Sequence, residues 1–354
     1  MNMKEKILSG IIGLCVGDSL GVPVEFKSRE TLQRNPVTDM QGYGTHNQPL
    51  GTWSDDTSMA LCLLDSLKNE LDYDDIMRKF LSWFKEADYT AHGKVFDVGI
   101  ATQKALSRFA SGTEPFNCGG DSEYDNGNGS LMRILPMAFY LSAADVEYED
   151  FFDIIHTVSA LTHAHERSKI ACGIYISIAE SLINRTGDIK VGIHNGINKS
   201  KDYYENKNEY IDELKYYSRI FKDGFINLPQ DEIKSSGYVV DTLEAAIWCL
   251  LNTDNYESCV LKAVNLGEDT DTVAAVVGGL AGIYYGLDNI PSKWVAQIAR
   301  LDYIKELCGT FNDSLYDDSL KVRQPTPAKK EKIRQIRISD PVPCRVIFTP
   351  NEKE

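Results

Sequence analysis

With 354 residues, 43% of them hydrophobic, the chain is long enough to bury a substantial core as one large domain or two ordinary ones. Its 52 acidic residues against 37 basic ones give a formal net charge of -15, the wrong sign for a protein whose main ligand is nucleic acid, because neutralising phosphates takes a basic face. Eight scattered cysteines with no Cys-x-x-Cys pair argue against a zinc site or a disulfide framework and fit small core residues in a reducing, cytoplasmic compartment.

In chain order, a first helix is expected over about 4–20. Lys4 and Lys6 precede an apolar stretch from Ile7 to Val16, but Gly10, Gly13 and Gly17 interrupt it and no small-residue cleavage site follows, so it reads as a core helix and not a signal peptide. No apolar run reaches the roughly 18 residues needed to cross a bilayer, and no membrane partner is expected. Helical spacing recurs through Met59, Leu63, Leu64 and Leu67, then through Ile76, Phe80 and Phe84. Further helices are expected over about 95–110, 130–141, 150–161, 166–184, 237–251, 256–265, 271–285 and 292–304. Gly278, Gly279 and Gly282 inside the apolar stretch from Thr272 to Leu287 predict a central helix with a close neighbour.

Between about 195 and 236 the chain turns polar around Tyr203, Tyr204 and Tyr210, which reads as an exposed insertion carrying one amphipathic helix. Beyond about Leu320 it turns basic, with Pro325, Pro327, Pro341 and Pro343 marking a linker and Ile336, Ile338 and Val346 to Phe348 a short strand or hairpin. The expected organisation is an all-α, multi-helix single domain over 1–315, monomeric, followed by a basic, proline-containing extension over 316–354.

Two acidic clusters carry the chemistry. Ser54, Asp55, Asp56 and Thr57 stand just before a periodic helix, as do Glu268, Asp269, Thr270, Asp271 and Thr272. Ser and Asp are also ordinary capping residues, but adjacent carboxylates repel one another, which folding alone does not favour and a divalent cation relieves. All-oxygen ligands suit magnesium or manganese over zinc, and two clusters supply enough for two ions that orient a substrate and activate water. A glycine-rich loop, Asp125 to Ser130, runs toward a helix and has the character of a phosphate cradle or of an ordinary turn. His163 and His165 lack the spacing of a helical zinc site, and Glu25 sits among apolar neighbours, as a functional acid or a buried ion-pair partner would.

These stretches, in this order, resemble the ADP-ribosylglycohydrolase family. The resemblance runs from Gly17-Asp18-Ser19-Leu20-Gly21 and Glu25-Phe26 through Trp53 to Thr57, Asp97-Val98-Gly99, Asn126 to Pro136 and Thr162-His163 to Gly267 to Thr272, covering about 4–305. It implies an orthogonal all-helical fold and two magnesium or manganese ions, with Ser54, Asp55, Asp56, Asp269, Asp271 and Thr272 as ligands. It implies further that Glu25, Asp56 and Asp125 are the catalytic acids, and that Gly99, Gly127, Asn128, Gly129, Ser130 and His163 line the substrate pocket. The reaction implied is cleavage of the glycosidic bond between ADP-ribose and an arginine or serine side chain or a small acceptor, through an oxocarbenium-like transition state. The competing readings are a module that binds ADP-ribose without turning it over and a metal-dependent hydrolase of another nucleotide.

Overall fold

The computed structural model describes residues 1–144, 146–184 and 187–316. The basic extension beyond them, with the strand or hairpin expected around Ile336 to Phe348, lies outside the described residues. Fifteen α-helices and no β-strand occur among the described residues. In chain order they are α1 (Met3–Gly21), α2 (Arg29–Arg34), α3 (Asp55–Ser66), α4 (Tyr73–Glu86), α5 (Ile100–Ala110), α6 (Pro136–Ala143), α7 (Tyr148–Ala160) and α8 (Glu166–Ile183). The second half adds α9 (Ile189–Glu205), α10 (Asn208–Leu214), α11 (Val239–Leu251), α12 (Tyr256–Val264), α13 (Thr270–Tyr285), α14 (Ser292–Gln297) and α15 (Leu301–Leu315).

Local sequence explains most of the boundaries. Asn2 and Glu5 form a reciprocal capping box at the start of α1. Asp72 accepts from the amides of Asp74 and Asp75 to start α4, whose buried face is Ile76, Met77, Phe80 and Trp83.

The fold is organised on the crossing of α1 with α13, which run antiparallel at backbone contact. A Cβ on Gly13 would stand 2.4 Å from the Gly278 carbonyl oxygen, and one on Gly17 would stand 2.1 Å from that of Ala274. At the other end, one on Gly282 would stand 2.1 Å from the Ser9 carbonyl oxygen. The glycines of both helices therefore face each other, offsetting the roughly 1 kcal/mol that each costs in a helix interior. This packing also revises the expectation about apolar runs. Met3–Val24 is long and apolar enough to cross a membrane, with a mean hydropathy of 1.8 in its best window, because glycine and serine interrupt it without making it polar. That window is 94% buried against the protein's own helices.

Four expected elements differ in detail. The helix expected from about 95 begins only at Ile100, after Asp97 takes a left-handed conformation (φ 58°). The one expected from about 130 begins at Pro136, preceded by a single 3-10 turn, Asn128–Ser130. The helix expected over 292–304 is broken into α14 and α15 at Arg300 (φ 50°), and the break lets the Ala299 amide donate to the Gly51 carbonyl at 3.0 Å, just before the first acidic cluster. The expected exposed insertion contains α9, α10 and three short turns, and its tyrosines point inward: Tyr203, Tyr204, Tyr210 and Tyr217 are buried. Tyr203 stacks on Phe152 at 3.9 Å, while the Tyr204 and Tyr210 hydroxyls meet the two nitrogens of His156 at 2.8 and 2.9 Å. The surrounding charges made this stretch read as surface, but aromatic rings bury more area than the charges on the opposite helix face forbid.

Candidate active site

Because α1 and α13 touch through glycine, the last turn of α1 lies against the first turn of α13. The Thr270 hydroxyl donates to the Gly21 carbonyl at 2.8 Å. One turn earlier on α1, the fully buried Asp18 carboxylate accepts from the Ser54 amide (3.0 and 3.1 Å), the Thr57 amide (3.1 Å) and the Thr57 hydroxyl (2.5 Å). Asp18 thus anchors the start of α3 from outside that helix, while the Ser54 side chain caps it by accepting from the Asp56 amide at 3.2 Å. Thr272 closes the circle by donating to Asp56 at 3.2 Å. The two acidic clusters, more than 200 residues apart in sequence, form one site.

Asp55, Asp56 and Asp271 are buried, and one oxygen each of Asp56 (Oδ2), Asp269 (Oδ1) and Asp271 (Oδ2) has no hydrogen-bond partner. Desolvation, followed by repulsion from neighbouring carboxylates, holds the carboxyls of Asp55, Asp56 and Asp271 well above the usual range. Asp269 is raised mainly by burial and steadied by Asn128, whose amide donates to it at 2.8 Å. Ligand-type atoms within 4.8 Å of one another form two groups that share Asp271: Asp18, Asp56 and Asp271, and Glu25, His46, Asp97 and Asp271. Unpartnered, mutually repelling carboxylate oxygens are what a hard divalent cation would satisfy, so the residues present fit such an ion.

The acids open onto a cavity of about 460 Å³, lined among others by Glu25, Asp55, Asp97, Asp269 and Thr272. A second cavity of about 420 Å³, between Asp65, Tyr89 and Arg300, contains none of these unpartnered acids. The opposite wall of the first is Gly99, Gly127, Asn128, Gly129 and His163. Gly99 stands at the start of α5 with no side-chain cap, leaving the first amides of that helix to a ligand or solvent. The loop at Gly127 is held by backbone pairing, Asn128 N to the Gly237 carbonyl and Val239 N to that of Asn126, both at 3.0 Å. A Cβ at Gly129 would stand 2.9 Å from the His163 ring, so glycine there lets the ring approach the loop. Burial, with Arg133 nearby, depresses His163 to about 3, so the ring is neutral, and Thr162 pairs with its Nδ1 at 2.7 Å. Ser130 lies deeper, bonded to Ser159 at 3.0 Å. His165 stands apart as the N-cap of α8.

Asp125 is not brought into this group. Its carboxylate closes a turn on the Ser122 amide (3.2 Å) and hydroxyl (2.5 Å), which also hold it below the usual carboxylate range. Three residues given no chemical role above do join it: Asp18, Asp97 and His46. Asp18 and Asp97 lay inside the matched stretches and showed no local excess of acid; His46 had no flanking signal at all. Glu25 is 4% exposed and is pushed up to about 7, first by burial and then by Asp97 and Asp269, against the hydrogen bond from His46. His46 is raised in turn, chiefly by that same bond.

The family model of ADP-ribosylglycohydrolases matches residues 1–324. An ADP-ribosylarginine hydrolase of Serratia proteamaculans is 32% identical, over 86% of this chain and 78% of its own. An ADP-ribosyl-[dinitrogen reductase] glycohydrolase of Rhodospirillum rubrum is 30% identical, over 84% and 91%. Among solved structures, an ADP-ribosylglycohydrolase-related protein complex superposes with a TM-score of 0.71 at 29% identity, covering 88% of this chain and 99% of that one.

Proposed function

The chain belongs to the ADP-ribosylglycohydrolase family, and from that premise we propose that it is a dinuclear, divalent-metal-dependent hydrolase releasing ADP-ribose from modified arginine side chains. The observation that carries the reading is the set of unpartnered carboxylate oxygens on Asp56, Asp269 and Asp271, in a cluster whose Asp55, Asp269 and Thr272 line a cavity large enough for a nucleotide. Ser54, Asp55, Asp56, Asp269, Asp271 and Thr272 would hold two magnesium or manganese ions, which when bound supply Lewis acidity at the distal ribose.

The chain's own residues do the rest. The free amides at Gly99 and the start of α5 take the diphosphate, and the loop from Gly127 to Gly129, backed by the neutral His163 ring, takes the ribose. Glu25, a carboxyl near neutrality, accepts a proton from water as its oxygen bonds to the anomeric carbon. As the carbon–nitrogen bond breaks, that proton passes to the departing guanidine nitrogen. Glu25 and Asp97 in the lining favour a cationic guanidinium over a neutral serine oxygen, in line with the arginine acceptor named for the Serratia relative.

The test is release of free ADP-ribose from peptides ADP-ribosylated on arginine or on serine, with magnesium, with manganese and with EDTA. Turnover of the arginine peptide that vanishes with EDTA and in Asp269→Ala/Asp271→Ala is expected. Equal turnover after chelation would sink the metal assignment, and tight binding without product would make the protein a binding module. Preference for the serine peptide would overturn the acceptor assignment.

A further inference from the structure

Glu25 is gripped by a turn, Gly44–His46, that no sequence motif marks. The turn is closed on itself by Tyr43 N to the Gln48 carbonyl (2.5 Å), Asn47 N to that of Gly44 (3.3 Å) and the Gln48 side chain to that of His46 (2.9 Å). Its three residues engage Pro23 and Glu25 in succession. Gly44, at φ 59°, lies so close to Pro23 that a Cβ would stand 1.9 Å from its carbonyl oxygen. Thr45 donates its hydroxyl to the Glu25 carbonyl at 2.8 Å. His46 Nε2 meets the Glu25 carboxylate, and its ring is flanked by Phe96 at 5.1 Å and Phe26 at 6.0 Å. From the other side, Phe26 N donates to the Glu268 carbonyl at 2.7 Å and Glu268 N to that of Lys27 at 2.8 Å, tying Glu25 to the segment that leads into Asp269.

We propose that the Gly44–His46 turn is a positioning device for Glu25, with His46 the residue that fixes the carboxylate at the acid cluster. A glutamate has three rotatable side-chain bonds, and this one faces the carboxylates of Asp97 and Asp271. Repulsion from them favours rotamers that swing away; the imidazole on Oε2 of Glu25 and the ring packing around it oppose that rotation. His46 acts through Glu25 and is not itself a catalytic residue. The inference rests on the proposed hydrolase reading for its kinetic arm alone.

The experiment compares His46→Ala, His46→Gln and Glu25→Gln, singly and as the double variant His46→Ala/Glu25→Gln, on the arginine-modified peptide. Removing the imidazole should lower kcat by up to about 100-fold, the scale of a misplaced reacting group, with KM and calorimetric magnesium affinity unchanged. Glutamine at 46 retains a side-chain nitrogen of similar reach and should recover most of the loss, and the double variant should be no slower than Glu25→Gln alone. Additive losses, a change confined to KM, or no recovery by glutamine would overturn the proposal. A loss of magnesium affinity would overturn it too, by making the imidazole a metal ligand. Crystal structures of the wild type and His46→Ala form an arm independent of activity: the Glu25 carboxylate should be displaced in the variant, and an unmoved carboxylate refutes the device. That arm still reads if the wild type releases no ADP-ribose, a result that would count against the hydrolase reading only. If the alanine variant fails to fold, His46→Asn, whose amide is too short to reach Glu25, carries the same expectations.

Discussion

Gly21 lies against the backbone of Asp271, so that a Cβ on Gly21 would stand 2.3 Å from both the nitrogen and the Cα of Asp271. Neither side can yield, because one is the last turn of α1 and the other the first turn of α13. Gly21→Ala should therefore overpack the crossing at a cost of about 1–3 kcal/mol, and thermal melting should record a Tm lower by roughly 1–4 °C. Because the displaced atoms belong to a proposed ligand, calorimetric magnesium affinity should fall as well. Gly309, in the middle of α15 with nothing within 4 Å of its Cβ position, is the control: Gly309→Ala should raise stability by about 0.5–1 kcal/mol.

Asp18 binds only donors, and this makes its substitution by the isosteric amide informative. In Asp18→Asn one of the two carboxylate positions becomes an amide nitrogen facing either the Ser54 amide or the Thr57 amide and hydroxyl. A donor opposed to a buried donor costs about 1–3 kcal/mol. Chemical denaturation should show that loss, and the same variant should bind magnesium more weakly because the start of α3 is no longer held. Unchanged stability and metal affinity would mean that Asp18 is not the anchor of that turn.

The helices of the core and the two clusters could be read from the chain because their signals are local: apolar residues at helical spacing around Met59, and carboxylates adjacent in sequence at Asp55 and Asp56. Three kinds of feature were not legible. Burial of Tyr204 and Tyr210 in the polar insertion depends on a histidine of α7, His156, that only packing brings to them. The break before α15 leaves no proline or glycine behind, since Arg300 adopts the left-handed conformation to let Ala299 reach Gly51. Asp18, Asp97 and His46 reach the site through tertiary packing, from a helix interior, a left-handed loop residue and a 3-10 turn. Single acids in such places look like any other acid.

Proton and metal should compete for the site, with a definite sign. Burial raises the folded-state values of Asp55, Asp56 and Asp271 above those of the unfolded chain. The stability these groups contribute to the metal-free protein is thus fully present below their unfolded values near 3.8 and is lost as pH rises through the folded ones. A bound cation needs the ionised form and is favoured by the same rise. Scanning fluorimetry at pH 5.5 and at pH 8 should show the metal-free Tm falling with pH and the stabilisation by saturating magnesium growing. A magnesium-induced shift that shrinks toward pH 8 would place the ion elsewhere.

Asp97 and Asp125 offer the sharpest separation between sequence position and site geometry. Both precede a glycine that lines the cavity, Gly99 and Gly127. Only Asp97 has an oxygen grouped with those of Glu25 and Asp271; Asp125 spends its carboxylate on Ser122. Asp97→Asn removes a charge beside the proposed proton carrier and should lower kcat/KM on the arginine-modified peptide by about 100-fold or more. Asp125→Asn weakens a surface turn, so its effect on kcat/KM at saturating magnesium should stay within a few-fold. Its cost should appear instead as a small loss of stability, about 1 kcal/mol for one weakened charge-assisted turn. Were the two variants to rank in the opposite order, Asp125 would have to reach the substrate through a rearrangement of the Ser122 turn, and the cavity described above would be a closed form of the working site.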